Sequence, residues 1–472
     1  MKKISLLLFL SMCFVGFAQN KQLLYGFSEI PQSLQLNPGG QITNDWYIGI
    51  PFLSHIHANF GMTGLSIYDV FADDGTDFNT KLKSTIYAMK ETDYFALNEQ
   101  YDLFSGGFAF GNGFIKNKYL SFGMYQETNA FIYFPKDYAI LAYEGNHDNI
   151  NRIFDLSDLN VSAELLTVFH LGYNKKVNNK FTYGVRGKIY SSILDVKSIN
   201  NKGTFVTTEG ESNFLNHDFI LDLELQTAGL KSFLDDENSD ISQDMKTLIS
   251  RAFFGGNLGV GVDIGFTYKL TEQWTLEASI QDIGFISYKK DVENFNLDGN
   301  LTYEGINPLF QESEEGQTAE EYWDAVATDF EDLFQVDTTY TKYKTARPIK
   351  FNAALQYAFG KKNNQECNCL QVEEDYQNRV GAHLFLMQRP KKPQTALTAF
   401  YYRNLFSNFG VKASYTLDSY SYTNLGLALS ANISGLHFYV AADNLLKYQN
   451  LAKAQSVSLQ LGFNYIFKNN EK

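Results

Sequence analysis

The stretch Val457-Ser458-Leu459-Gln460-Leu461-Gly462-Phe463-Asn464-Tyr465-Ile466-Phe467 alternates almost without a break. Val457, Leu459, Leu461, Phe463, Tyr465 and Phe467 fall on one face, and Ser458, Gln460, Gly462 and Asn464 on the other. Successive side chains of a strand point to opposite faces, so one face of this segment wants hydrocarbon and the other wants water. A soluble sandwich strand carries the same pattern. The ending separates the two: Tyr465 and Phe467 stand just before a charged tail, 468–472, which matches the C-terminal signal of bacterial membrane barrels.

The same period recurs upstream. Ile349, Phe351, Ala353, Leu355, Tyr357 and Phe359 oppose Lys350, Asn352 and Gln356. Leu258, Val260, Val262, Ile264, Phe266 and Tyr268 oppose Asn257, Gly259, Gly261, Asp263 and Gly265, a small and polar set suited to a water-facing lumen. Such segments occur near 56–68, 101–111, 118–133, 161–173, 180–193, 253–269, 273–287, 347–360, 377–388, 395–403, 407–416, 421–432, 435–443 and 455–467. That makes about 14 strands, the even number expected of a single-chain bacterial barrel.

Parity tests the count. If the last strand descends to the periplasm, the periplasmic connections are 112–117, 174–179, 270–272, 361–376, 404–406 and 433–434, nearly all short. The opposite connections include 69–100, 134–160, 194–252 and 288–346, all long. Short periplasmic turns and long outer loops are the asymmetry of this architecture, and an error of one strand would have mixed them.

Composition agrees. The chain has 40 Phe, 30 Tyr and 8 Pro in 472 residues, with 44 % hydrophobic residues overall. Its mean hydropathy is nonetheless −0.25, because alternating faces cancel in the average. The first eighteen residues, with Lys2, Lys3, an apolar run from Ile4 to Phe17 and a stop at Ala18, read as a secretory signal peptide. A lipoprotein signal through Leu10-Ser11-Met12-Cys13 is the weaker reading, since Met12 stands where a small residue is wanted. No later run of eighteen apolar residues occurs, so no transmembrane helix is expected. The net charge of −14 becomes −16 when Lys2 and Lys3 leave with the signal, and an acidic chain without a basic stripe is a poor nucleic-acid binder.

The sequence therefore divides into a signal peptide (1–18), an N-terminal plug segment (19–55), a 14-stranded antiparallel transmembrane β-barrel (56–467) and a periplasmic tail (468–472). The plug segment has turn formers at Pro31, Pro38, Gly39 and Gly40 and too little alternation for a full strand. Among the long outer loops, 308–336 is rich in Glu and Asp, has Tyr322, Trp323, Val326, Phe330 and Leu333 at helical spacing, and opens with a Thr318-x-x-Glu321 capping box. A short acidic amphipathic helix folded onto the barrel rim is expected there.

Several motifs at the N-terminus carry a family resemblance: Ile30-Pro31-Gln32-Ser33, Leu36-Asn37-Pro38-Gly39 and Tyr47-Ile48-Gly49-Ile50-Pro51. Phe134-Pro135-Lys136-Asp137, Gly145-Asn146, the hairpin Leu171-Gly172-Tyr173 through Tyr183-Gly184-Val185-Arg186, Asp282-Ile283-Gly284-Phe285 and Asp443-Asn444-Leu445 extend it along the chain. Together they resemble an uncharacterised family of Bacteroidota outer-membrane barrels, similar to PorV and PorP/SprF of the type IX secretion system and more distantly to FadL transporters. The resemblance implies a plug motif at Asn37, Pro38 and Gly39, lying in or near the lumen on the periplasmic side. PorP/SprF relatives carry Asn-Pro-Ala, whereas Gly39 stands here in place of the Ala.

A search for catalytic constellations yields little. Gly259-x-Gly261-x-x-x-Gly265 has neither the spacing nor the strand-to-helix setting of a dinucleotide site, and no Gly-x-Ser-x-Gly occurs. His55-x-His57 lacks a local third ligand, and Asp236, Asn238 and Asp240 open a calcium-loop pattern that Ile241 and Thr247 do not complete. Cys367 and Cys369 are too close to staple a fold and read as a vicinal pair in an exposed turn. No enzyme activity, metal or cofactor is expected. Arg186, Lys188 and Glu127 occupy inward positions and are expected to pair across the lumen and stiffen it.

Three functions compete. An accessory or docking subunit of an outer-membrane complex would meet membrane lipid and other outer-membrane or periplasmic proteins. A FadL-like passive channel would carry hydrophobic small molecules. A soluble exported β-protein such as a propeller requires a repeat of 40 to 50 residues, which is not visible.

Overall fold

A computed structural model of the chain describes residues 21–112, 115–210, 215–231, 241–303, 336–361, 376–406 and 408–467. The signal peptide expected in 1–18, the acidic helix expected in 308–336, the cysteine pair, the start of the incomplete calcium loop and the tail 468–472 lie outside the described residues.

The alternating segments form strands. In chain order they are β1 (Trp46–Gly49), β2 (Ile56–Met62), β3 (Tyr94–Asn112), β4 (Ile115–Tyr133), β5 (Ile153–Asp155), β6 (Val161–Lys176) and β7 (Phe181–Thr208). There follow β8 (Asn216–Ala228), β9 (Asn257–Lys269), β10 (Trp274–Tyr288), β11 (Asn294–Tyr303), β12 (Asp337–Thr339), β13 (Tyr343–Ala346) and β14 (Lys350–Lys361). The last are β15 (Tyr376–Met387), β16 (Gln394–Phe406), β17 (Phe409–Asp418), β18 (Asn424–Ile433), β19 (Leu436–Asp443) and β20 (Ser456–Phe467).

Antiparallel pairing runs from β3 through β4, β6, β7, β9, β10, β14, β15, β16, β17, β18 and β19 to β20. β1 and β2 together close the ring, each pairing β20 on one side and β3 on the other. With β13 continuing β14 along β10, the wall has 14 strand positions and no open edge. Closure is what an exposed sheet in hydrocarbon requires, because an edge would leave backbone polar groups unsatisfied.

The exterior is apolar. Along β9, Leu258, Val260, Val262 and Ile264 are 42–53 % exposed, while Asn257, Asp263 and Thr267 between them are buried toward the lumen. On β20, Phe463, Tyr465 and Phe467 face out, and Ser458, Gln460 and Asn464 are fully buried. At the end carrying the short turns, Trp46 stacks on Phe467 at 3.6 Å and Trp274 packs on Tyr357 at 5.1 Å, part of an aromatic girdle. No helix among the described residues is long and apolar enough to cross a membrane. The barrel crosses with strands.

Several boundaries differ from the sequence reading: β2 ends at Met62, β3 starts at Tyr94, and the connection 288–346 holds β11, β12 and β13. Trp46–Gly49, assigned to the plug segment, belongs to the wall and pairs with Asn464–Phe467. Residues 253–255, assigned to the start of a strand, belong to the helical turn Arg251–Gly255, and the strand starts at Asn257. The connection 194–252 is not loop throughout: β7 runs 28 residues, well past the lipid-facing part of the wall. Its far half pairs with β5 and β8, and β8 pairs with β11, which pairs with β12. Helices α1 (Ile67–Phe71), α2 (Phe78–Ala88) and α3 (Lys136–Glu144) lie at this same end. Ile86 of α2 and Ile140 of α3 share a core with Phe154, Leu156, Phe205 and Leu221 of the projecting sheet.

Candidate functional site

The interior is occupied by the chain's own N-terminal segment. Leu23, Leu24, Tyr25, Phe27 and Ile30 are at most 1 % exposed, which places them in the lumen. Two short 3₁₀ turns, Gln22–Leu24 and Pro31–Gln35, hold the segment in a compact course, with Pro31 at the first position, where its missing N–H costs nothing.

One side of the lumen receives it apolarly. Leu23, Leu24, Phe27 and Ile30 pack against Tyr402, Ala428, Tyr439 and Ala441 of β16, β18 and β19. Phe27 meets Tyr402 edge-on at 5.2 Å, and Tyr25 stacks on His383 at 4.3 Å. Polar contacts fix the register: Arg379 bonds both carboxylate oxygens of Glu29 at 3.0 and 3.1 Å, and Lys412 Nζ donates to the Tyr25 carbonyl at 2.6 Å. Gln32 Nε2 donates to Asn464 Oδ1 of the last strand at 2.7 Å.

The Asn37-Pro38-Gly39 motif crosses the opposite wall at closest approach. Asn37 Oδ1 accepts from Gly39 N at 3.0 Å, and Asn37 Nδ2 donates to the Phe266 carbonyl at 3.3 Å. Asn174 Nδ2 donates to the carbonyls of Pro38 and Gly40 at 2.8 and 3.0 Å. A Cβ at Gly39 would lie 2.2 Å from the Gly265 carbonyl oxygen, so an alanine methyl has no room here.

Beside the plug runs a ladder of buried charges. Arg186 Nε donates to Asp263 at 2.7 Å, and Lys188 bridges Asp263 at 3.0 Å and Asp282 at 2.6 Å. Lys350 carries the ladder on to Asp282 at 3.0 Å and Glu127 at 3.1 Å. Arg347 ends it on Glu127 at 3.2 Å and on Glu164. Four cations, Arg186, Lys188, Arg347 and Lys350, thus meet four carboxylates. Glu127 is paired not with Arg186 or Lys188, as the sequence suggested, but with Arg347 and Lys350, and Lys350 and Asp282 link the two groups. Asp263 and Lys350 were legible as inward positions; Glu164 and Arg347 carried no signal in the sequence. Arg186 also donates to the backbone carbonyls of Leu34 and Gln35, so the ladder holds the plug as well as the wall. A cavity of about 70 Å³ remains between Lys21, Gln100, Glu127, Lys188, Asp282 and Lys350.

The wall bulges at its seam, where Ile50 N donates to the Phe463 carbonyl at 3.0 Å and Phe463 N to the Leu53 carbonyl at 2.9 Å. Between the pairs Gly49↔Asn464 and Ile56↔Leu461, six residues (50–55) face only two of β20. The extra chain bulges outward: Phe52, at φ +64°, is 62 % exposed and Leu53 44 %, while Ser54 and His55 are fully buried. His55 Nδ1 lies 2.5 Å from the Tyr439 hydroxyl, and the rings of His55 and His57 are parallel at 6.4 Å. Among the described residues no three His, Cys, Asp or Glu side chains come together as a metal site.

A family model described only as a family of unknown function, DUF5723, matches residues 38–443. The chain belongs to DUF5723. No curated protein matches it. Among solved structures, this DUF5723 member is similar to the toluene transporter TodX of P. putida, at 10 % identity over 93 % of both chains with a TM-score of 0.40. It is also similar to a FadL homologue of Pseudomonas aeruginosa, at 9 % identity over 96 % of this chain and 100 % of the other with a TM-score of 0.45. The toluene transporter TbuX of Ralstonia pickettii aligns at 11 % identity over 93 % and 94 %, with a TM-score of 0.39.

Proposed function

We propose that this protein is a plug-gated, non-enzymatic channel of the outer membrane for hydrophobic small molecules. One observation carries the reading. The apolar patch on the inner wall, Tyr402, Ala428, Tyr439 and Ala441, is filled by Leu23, Leu24, Phe27 and Ile30 of a segment that is not part of the wall. That patch adjoins the bulged seam through the contact between Tyr439 and His55. Retreat of the plug would offer an apolar site to a solute, next to the six-residue bulge at the seam of the wall. The charge ladder spans the lumen beside the plug.

The test is uptake of a hydrophobic fluorescent probe that an intact outer membrane excludes, in cells producing the full chain. Ala428→Trp with Ala441→Trp fills the patch without touching the ladder. Uptake above that of cells lacking the protein, reduced several-fold by the double substitution, supports the reading; uptake indifferent to the substitution in a heat-modifiable, folded barrel refutes it.

A second reading, an accessory or docking subunit, is favoured by the platform of β5, the far half of β7, β8, β11 and β12, which exceeds what closing a barrel needs. Purification from native membranes without a reproducible partner would count against it.

A further inference from the structure

The turn Arg251–Gly255 follows helix α4 (Ile241–Ser250) and folds down over the outer surface of the barrel. Ser191 of β7 donates to the Arg251 carbonyl at 2.6 Å beneath it. A Cβ at Gly256 would lie 2.2 Å from the Ser192 carbonyl oxygen, so the turn is pressed against the strand. The descent places Phe254 face to face with Phe169 of β6 at 4.3 Å and Phe253 edge-on to the same ring at 6.5 Å. Phe169 pairs with Ile189, an exposed residue of the lipid-facing wall. Phe254 adopts φ +67°, a conformation that a bulky side chain keeps only where its surroundings demand it. Ile249, Phe253 and Phe254 are 47–55 % exposed and continue the apolar band of the barrel.

Directly against this apolar foot lies a pocket of about 390 Å³, whose lining includes Lys246, Arg251, Lys290, Asp291 and Asn257. Arg251 Nη2 bonds Asp291 at 2.5 Å, and Lys290 Nζ donates one of its hydrogens to the Gly255 carbonyl at 2.8 Å. Among the described residues that line the pocket, three cations stand with one carboxylate in a chain that is acidic overall. Cations just above an apolar, aromatic membrane contact form the pattern of a lipid headgroup site.

We infer that Lys246, Lys290 and Arg251, together with the Phe253–Phe254 foot, bind a phospholipid with a net negative headgroup, from the leaflet at the long-loop end of the barrel. The occupant is a lipid because the pocket shares Arg251 and Gly255 with the turn that seats Phe253 and Phe254 on Phe169 of the membrane-facing wall: the headgroup meets the cations while the acyl chains lie along Phe169, Phe253 and Phe254. Free phosphate would use only the first half of this surface. The helix and turn would then be tied to the bilayer as well as to the barrel.

The test is native mass spectrometry of the purified full barrel from mixed micelles containing equal phosphatidylglycerol and phosphatidylcholine. The unaltered protein is expected to retain phosphatidylglycerol about tenfold over phosphatidylcholine, and Lys246→Gln with Lys290→Gln to lose that preference while keeping the heat-modifiable gel shift of a folded barrel. Equal retention by the variant, or no preference in the unaltered protein, overturns the assignment. Inorganic phosphate in millimolar excess is expected to leave the lipid bound; displacement by it would make the pocket a free-anion site instead.

Discussion

Gly184 on β7 faces the carbonyl oxygen of Pro38 so closely that a Cβ there would stand 1.9 Å from it. The clash would be with backbone on both sides, so neither a rotamer change nor a small side-chain shift relieves it. Gly184→Ala is therefore expected to lift the plug at its crossing point while the wall, whose pairing with Gly265 uses only backbone, still closes. Gly187, three residues on, has nothing within 4 Å of its Cβ direction and supplies the control. Hydrogen exchange across 21–45 should rise sharply in the first variant and stay unchanged in Gly187→Ala; equal protection in both would mean that the crossing does not secure the plug.

The charge ladder makes a second prediction. Arg347 is 3 % exposed and serves both Glu127 and Glu164, so Arg347→Met strands carboxylates in the lumen. Breaking a buried pair from one side costs about 3–5 kcal/mol, and much of that is the penalty on the partner left behind. Adding Glu164→Gln should recover part of the loss. Urea unfolding of the barrel in lipid vesicles measures both; a single variant as stable as the unaltered protein would show the ladder to be ornamental.

A third prediction concerns the projecting sheet. His217 on β8 has Asn146 Nδ2 and the Thr207 hydroxyl each 3.1 Å from its Nδ1, an arrangement that suits the neutral ring with Nδ1 as acceptor. Burial holds its pKa below the ordinary value of 6.5, against the opposing pull of Asp218. With a lower pKa folded than unfolded, the residue's contribution is present above pH 6.5 and is lost as the pH falls through its folded value. Its NMR titration midpoint should lie below 6.5, and the β7–β8 sheet should exchange amide hydrogens faster under acid than a His217→Gln variant. A midpoint at or above 6.5 contradicts the account.

Most of the wall was legible because membrane strands obey one simple period. Leu459–Phe467 and Leu258–Tyr268 read correctly, since one face of each must meet hydrocarbon, whereas Val457, placed on that face, is buried. Only half of the seam was legible: β2 was read within 56–68, whereas β1 is only 4 residues long, too short for a period to stand out before Gly49 and Pro51. The far half of β7 and its partners were hidden for a different reason. They leave the bilayer, where alternation is no longer enforced and polar residues may take either face. For the candidate site, inward positions such as Arg186, Lys188, Asp263 and Lys350 follow from alternation alone. Which of them meet does not, because pairing across the ladder depends on register and on the extra residue between β9 and β10 at Ile280/Ile283. The need for Gly39 became clear only when Gly265 was found opposite it.

The claim that the plug must move is tested most directly by preventing it from moving. Gln32 and Asn464 touch across the lumen, one on the plug and one on the last strand, with 2.7 Å between Nε2 and Oδ1. In a chain with Cys367 and Cys369 replaced by Ser, Gln32→Cys and Asn464→Cys can be joined by a short reducible thiol crosslinker, and uptake of the hydrophobic probe measured before and after reduction. The account predicts that uptake is abolished in the crosslinked barrel and returns on reduction; uptake equal in the two states, or absent from both, would contradict it.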